Sequence, residues 1–157
     1  MLAAIRPDSW NLPLFVHVLG AMVLVGALLT AFAAQIAGWS REAGVGAVAH
    51  ARLAFRTLLF AGIPAWIVMR IGAEWIYSKE KWADVPDEPG WLGVGFITAD
   101  LGGLLLLVAA ILAGLGARRQ GRTRAGTSTL ARSAAVFALL ALVAYLVAVW
   151  AMTAKPD

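Results

Sequence analysis

Charge in this chain is sorted by loop, and that sorting limits the fold more than any motif does. Between long apolar stretches, segments 39–56 and 118–132 hold eight of the thirteen basic residues and a single acid, Glu42. The other eight acids lie elsewhere, from Asp8 through the loop 78–90 to Asp157. In polytopic membrane proteins Lys and Arg are retained in short cytoplasmic loops. The pattern predicts an all-α fold: four transmembrane helices in an up-and-down bundle, with both basic connections cytoplasmic and both termini external. A bacterial cytoplasmic membrane is the expected location.

Composition agrees. The chain is 61% hydrophobic and only 14% charged, with a mean hydropathy of +0.80, whereas soluble domains are roughly half apolar and a quarter charged. Four spans use nearly all of the 157 residues, so residues 1–157 read as a single integral membrane domain with no hidden soluble catalytic domain. The net charge of +4 comes from residues flanking the spans. It reads as topology and attraction to anionic lipid, and no nucleic-acid partner is expected. The chain has no Cys, which removes disulfides, thiolate nucleophiles and iron–sulfur ligation.

The first span is expected at about 12–38, with Asn11 placed to cap it, Pro13 in its first turn, and Trp10 and Trp39 at the two interfaces. His17, Thr30 and Gln35 interrupt it. Ala31-Phe32-Ala33 resembles a signal-peptidase site, but the preceding apolar run is too long for a signal peptide and Asp8 offsets Arg6, so the span is expected to be retained. The second span, about 48–77, has Arg56 and Arg70 bracketing a charge-free stretch only ~21 Å long. Either both arginines snorkel or one enters the bundle. Pro64 should kink this span, leaving the Phe60 carbonyl without its helical donor.

The third span, about 93–117, contains Asp100, and the fourth, about 134–152, contains Tyr145 and Trp150. Loop 78–90 is acidic with two prolines, and its Trp82 is expected to rest on the headgroups. Segment 117–129 reads as a flexible basic hairpin on the cytoplasmic leaflet. No internal repeat is present. Gly20, Ala21, Gly26 and Ala27 in the first span, and Gly102, Gly103, Ala110, Gly114 and Gly116 in the third, read as close helix contacts.

Counting from the cytoplasmic ends puts His17 and Arg70 at ~33 Å and Asp100 at ~26 Å, all in the outer leaflet. Glu74 lies one turn from Arg70. A charge facing lipid costs at least a few kcal/mol, so these side chains are expected to face one another inside the bundle. Two readings follow. In one they form a structural clasp, with Arg70 pairing Asp100 and Glu74 while His17 donates to a carboxylate. In the other they form a site open to the outer face, taking a cofactor, a metal or a proton. His50 sits a membrane thickness from His17, so the two histidines cannot clamp one haem. No metal-binding spacing, nucleophile elbow, Walker loop or dinucleotide fingerprint occurs, and no metal site or catalytic residue is assigned.

The stretch Leu14-Phe15-Val16-His17-Val18-Leu19-Gly20-Ala21-Met22-Val23-Leu24-Val25-Gly26 resembles the first helix of the copper-resistance D-like superfamily of small integral membrane proteins. That group includes uncharacterised four-helix proteins and the haem-containing protoporphyrinogen oxidase of bacteria. The resemblance implies a four-helix bundle in which His17 can be a haem ligand. The chain departs from that pattern in having no second intramembrane histidine, and its second span lacks the lysine of the oxidase branch.

The functional reading is a non-catalytic accessory or scaffolding subunit, packed in the bilayer against a larger membrane complex or a second copy of itself. One alternative is a small haem-binding redox protein with His17 as axial ligand and Arg70 near a propionate. Its second axial position would be vacant, or filled by water or by Met22 or Met69, neither methionine well placed. The other alternative is a proton-coupled carrier in which Asp100 and Glu74 titrate and Pro64 is the hinge, which the lack of repeat symmetry disfavours.

Overall fold

A computed structural model of the chain describes residues 8–39, 45–84, 86–87, 89–123 and 127–155. Arg6, Arg41, Glu42, Glu88, Arg124 and Asp157, which contribute to the loop charge pattern, lie outside them. The helices are α1 (Asn11–Trp39), α2 (Val45–Thr57), α3 (Ile63–Glu80), α4 (Gly90–Thr123) and α5 (Thr129–Ala154), and a π-helical turn, Leu58–Gly62, joins α2 to α3. Among the described residues there is no strand. With α2, the π turn and α3 forming one unbroken helix, there are four helices long and apolar enough to cross a membrane, Asn11–Trp39, Val45–Glu80, Gly90–Thr123 and Thr129–Ala154.

Pro64 explains the π turn. A proline ring collides with the carbonyl four residues before it and offers no N–H. The helix widens just ahead of it, the Ile63 N–H donating to the Leu58 carbonyl five residues back, and Pro64 then falls in the first turn of α3, where its missing donor does no harm. The irregularity at Pro64 takes the form of one wide turn.

The helices outrun the apolar stretches that predict them. α4 continues to Thr123, so Arg118–Arg122 is helical and not part of a flexible hairpin. Arg and Gln are strong helix formers, and a charged last turn suits a helix leaving the membrane. α5 starts where Ser128 caps it, its Oγ accepting from the Ala131 N–H at 3.3 Å.

Two antiparallel seams build the bundle. Between α1 and α3, a Cβ on Gly72 would lie 2.6 Å from the His17 backbone nitrogen, and one on Gly20 would lie 2.5 Å from that of Met69. Farther along, Gly62 faces Ala27. Between α4 and α5, Gly95 faces Met152, Gly102 faces Tyr145 and Gly116 faces Ala131. Each step of seven along α4 is matched by a step of seven back along α5, the repeat of left-handed helix packing. Ala109 and Ala138, at the intervening step, are both fully buried.

Leu24, Leu28, Leu58 and Leu106 fill the centre. The outer surface is apolar, with Phe15, Met22, Phe60, Ile97 and Ile111 exposed, as helices solvated by lipid require. Gly26, expected to pack, has no neighbour near its missing side chain and faces outward.

Candidate functional site

Near the end of the bundle where α3 finishes and α4 begins, Arg70 joins two acids. Its Nε donates to Asp100 Oδ1 at 3.0 Å and its Nη1 to Glu74 Oε1 at 2.6 Å. Glu74 is one helical turn along α3, while Asp100 comes from the facing helix α4. The guanidinium also lies over the Phe96 ring, 4.8 Å from its centroid, and that ring meets Tyr77 edge-on at 5.4 Å. Its long stem and planar fork let Arg70 engage both carboxylates and an aromatic face at once.

Against the expectation from the cost of intramembrane charge, the two carboxylates of the triad do not face the interior. Arg70 is 24% exposed, but Glu74 and Asp100 are 55% and 61% exposed, so the carboxylates open on the outer surface of the bundle. Glu74 and Asp100 each stand eighteen residues, ~27 Å, from Arg56 and Arg118 on their own helices. If those arginines mark one edge of a ~30 Å hydrocarbon layer, the carboxylates lie just inside the other. One guanidinium against two carboxylates leaves a formal charge of −1.

His17 stands at this level but outside the ion network. Its Nδ1 lies 3.0 Å from the Met69 carbonyl, and because a carbonyl only accepts, Nδ1 is the protonated nitrogen. The expected bond to a carboxylate is replaced by one to the backbone beside Arg70. His17 is therefore a clasp between α1 and α3, locked where its own backbone presses on Gly72.

The haem implied by the first-helix resemblance does not fit these residues. Nδ1–H bonded to a carbonyl is an orientation seen in ligating histidines, but the α1–α3 seam is closed at Gly20 and Gly72, so no porphyrin enters between these two helices. Met69 is buried in the core, while Met22 is exposed on the same helix as His17. Neither supplies the opposite axial position. Among the described residues no group of three His, Cys, Asp or Glu side chains gathers to hold a metal, and His50 bonds the Gly46 carbonyl of its own helix at 2.7 Å.

A second polar focus lies immediately beside Asp100. The Ala99 carbonyl accepts from Trp66 Nε1 at 3.1 Å and from Tyr145 Oη at 3.2 Å. Gly102 makes room for the tyrosine ring and Gly103 for the indole, where a Cβ would come within 2.7 and 2.5 Å respectively. This stitch ties α3, α4 and α5 together and fixes the backbone that carries Asp100. The glycine pair is visible in the sequence as a small-residue step, but nothing marks the shared acceptor. Beyond it, Trp82 donates to the Glu80 carboxylate and packs edge-on against Trp91 at 5.9 Å, while Lys155 Nζ lies 5.1 Å from the Trp91 ring.

Fold and site together define a helical bundle of the multi-pass membrane type, with an ion triad open on its outer surface near one end. No protein-family model, no curated protein and no solved structure matches the chain.

Proposed function

We propose that the chain is an accessory or scaffolding subunit of the bacterial cytoplasmic membrane, with both termini external and the Arg70–Glu74–Asp100 triad serving as the docking point for a membrane partner. One observation carries this reading: the two carboxylates are more than half exposed at a depth inside the expected hydrocarbon edge. Facing lipid, a net negative group is unfavourable by a few kcal/mol. A partner helix presenting a cation or hydrogen-bond donors removes that cost, and the exposed apolar flank at Ile97 and Leu101 gives it a surface to pack on.

Pairing of both acids to one arginine favours a static role over proton transport. The likeness of α1 to the copper-resistance D-like superfamily suits the bundle, with the first-helix histidine recast as a helix clasp. Purification in mild detergent tests the reading. The wild type should elute as a complex larger than its 16.5 kDa protomer, and Glu74→Gln/Asp100→Asn should elute as folded monomer. A wild type that is monomeric in every mild detergent, with or without added lipid, counts against it.

A further inference from the structure

At the opposite end of the bundle, α2 and α4 each place two arginines one helical turn apart on facing walls. Arg52 and Arg56 from α2 and Arg118 and Arg122 from α4 surround one hollow of about 420 Å³, floored by Phe55, Gly114, Ala117 and Gly121. The glycines shape it. A Cβ on Gly114 would lie 2.8 Å from the Phe55 ring, and one on Gly121 would lie 3.3 Å from Arg52 Nη2. Their absence lets the ring settle into the floor and a guanidinium reach across.

Positive charge on this side of a membrane protein follows from topology alone, but topology does not require convergence. Arg119 and Arg132 belong to the same end of the bundle and do not line the hollow. Among the described residues no carboxylate pairs with any of the four lining arginines, since both ion pairs belong to Arg70. Four like charges around one hollow repel one another, and an anion of matching charge relieves that repulsion. Arg56 and Arg118 sit where the hydrocarbon would end, and Arg52 and Arg122 lie ~6 Å farther out, at the height of lipid phosphates. The floor is apolar and the rim is cationic.

We propose that this hollow binds a headgroup carrying two phosphates, each held between guanidinium groups, on an anionic lipid of the diphosphatidyl class. Guanidinium forks match phosphate oxygens in bidentate pairs, and four of them are in proportion to two phosphates rather than one. Basic pockets between membrane helices are suited to such headgroups.

The test is native mass spectrometry of the full-length protein in detergent, titrated with diphosphatidylglycerol, with phosphatidylglycerol at twice the concentration, and with inorganic pyrophosphate. Arg52→Gln/Arg118→Gln removes one arginine from each wall, and Arg119→Gln is a control of like exposure, with circular dichroism confirming helix content for both. The diphosphatidyl lipid should bind the wild type and Arg119→Gln alike, ahead of charge-matched phosphatidylglycerol, and should bind the double variant about 30-fold more weakly. Equal weakening by Arg119→Gln, or no preference over phosphatidylglycerol, overturns the site. Pyrophosphate binding lipid-free protein as tightly as the lipid does overturns the lipid as its source.

Discussion

His17 and Gly72 lie in direct backbone contact across the α1–α3 seam. A Cβ on Gly72 would come within 2.6 Å of the His17 nitrogen and 2.7 Å of its Cα, and neither atom can rotate away. Gly72→Ala should therefore separate the two helices and weaken the bundle by about 1–3 kcal/mol, as overpacking does elsewhere. Gly26→Ala is the control, because nothing lies within 4 Å of its missing Cβ; it should be neutral or stabilising by up to about 1 kcal/mol. Reversible unfolding in mixed micelles reads both.

Removing part of the triad should harm more than removing all of it. Arg70→Gln leaves two carboxylates without their cation at the edge of the hydrocarbon, a cost of about 2 kcal/mol. In Arg70→Gln/Glu74→Gln/Asp100→Asn no charge remains, and most of that loss should return. The same unfolding assay separates them, and a triple variant weaker than Arg70→Gln would contradict electrostatic pairing as what holds the cluster.

Register along α4 and α5 can be read chemically. Gly95, Gly102 and Gly116 meet Met152, Tyr145 and Ala131, which puts Ala109 beside Ala138. The chain has no cysteine of its own, so Ala109→Cys/Ala138→Cys has a clean background. It should cross-link efficiently under mild oxidation, and Ala109→Cys/Ala131→Cys, displaced by seven residues, should not.

Hydropathy and loop charge are enough to read four apolar helices and their approximate limits, because burying backbone in lipid leaves few choices. The limits themselves are less legible. The predicted third span stops at Arg118, whereas α4 runs through Arg118 and Arg122 to Thr123, since helix propensity does not end where apolarity does. The association of Arg70 with Glu74 and Asp100 is readable from depth and charge. Its outward direction is not, because facing depends on which helices become neighbours.

Other features leave weaker traces in the sequence. The His17 partner is a main-chain carbonyl, and so is the acceptor shared by Trp66 and Tyr145, and backbone acceptors carry no residue signature. Gly72 and Gly95, in the tightest contacts of their helices, stand apart from the small-residue clusters that draw attention in the first and third spans. The arginine hollow needs α2 beside α4 before two arginine pairs more than sixty positions apart become one site.

A docked triad is tested most directly by photo-cross-linking in intact cells. A photoreactive label is attached to Ile97→Cys, one turn from Asp100, and separately to Phe60→Cys, which is comparably exposed, at 73% against 68%, but far from the triad. The Ile97 position should give one discrete protein adduct, lost when Glu74→Gln/Asp100→Asn is added, and the Phe60 position should label lipid. Lipid labelling alone at both positions would contradict a partner seated on the triad.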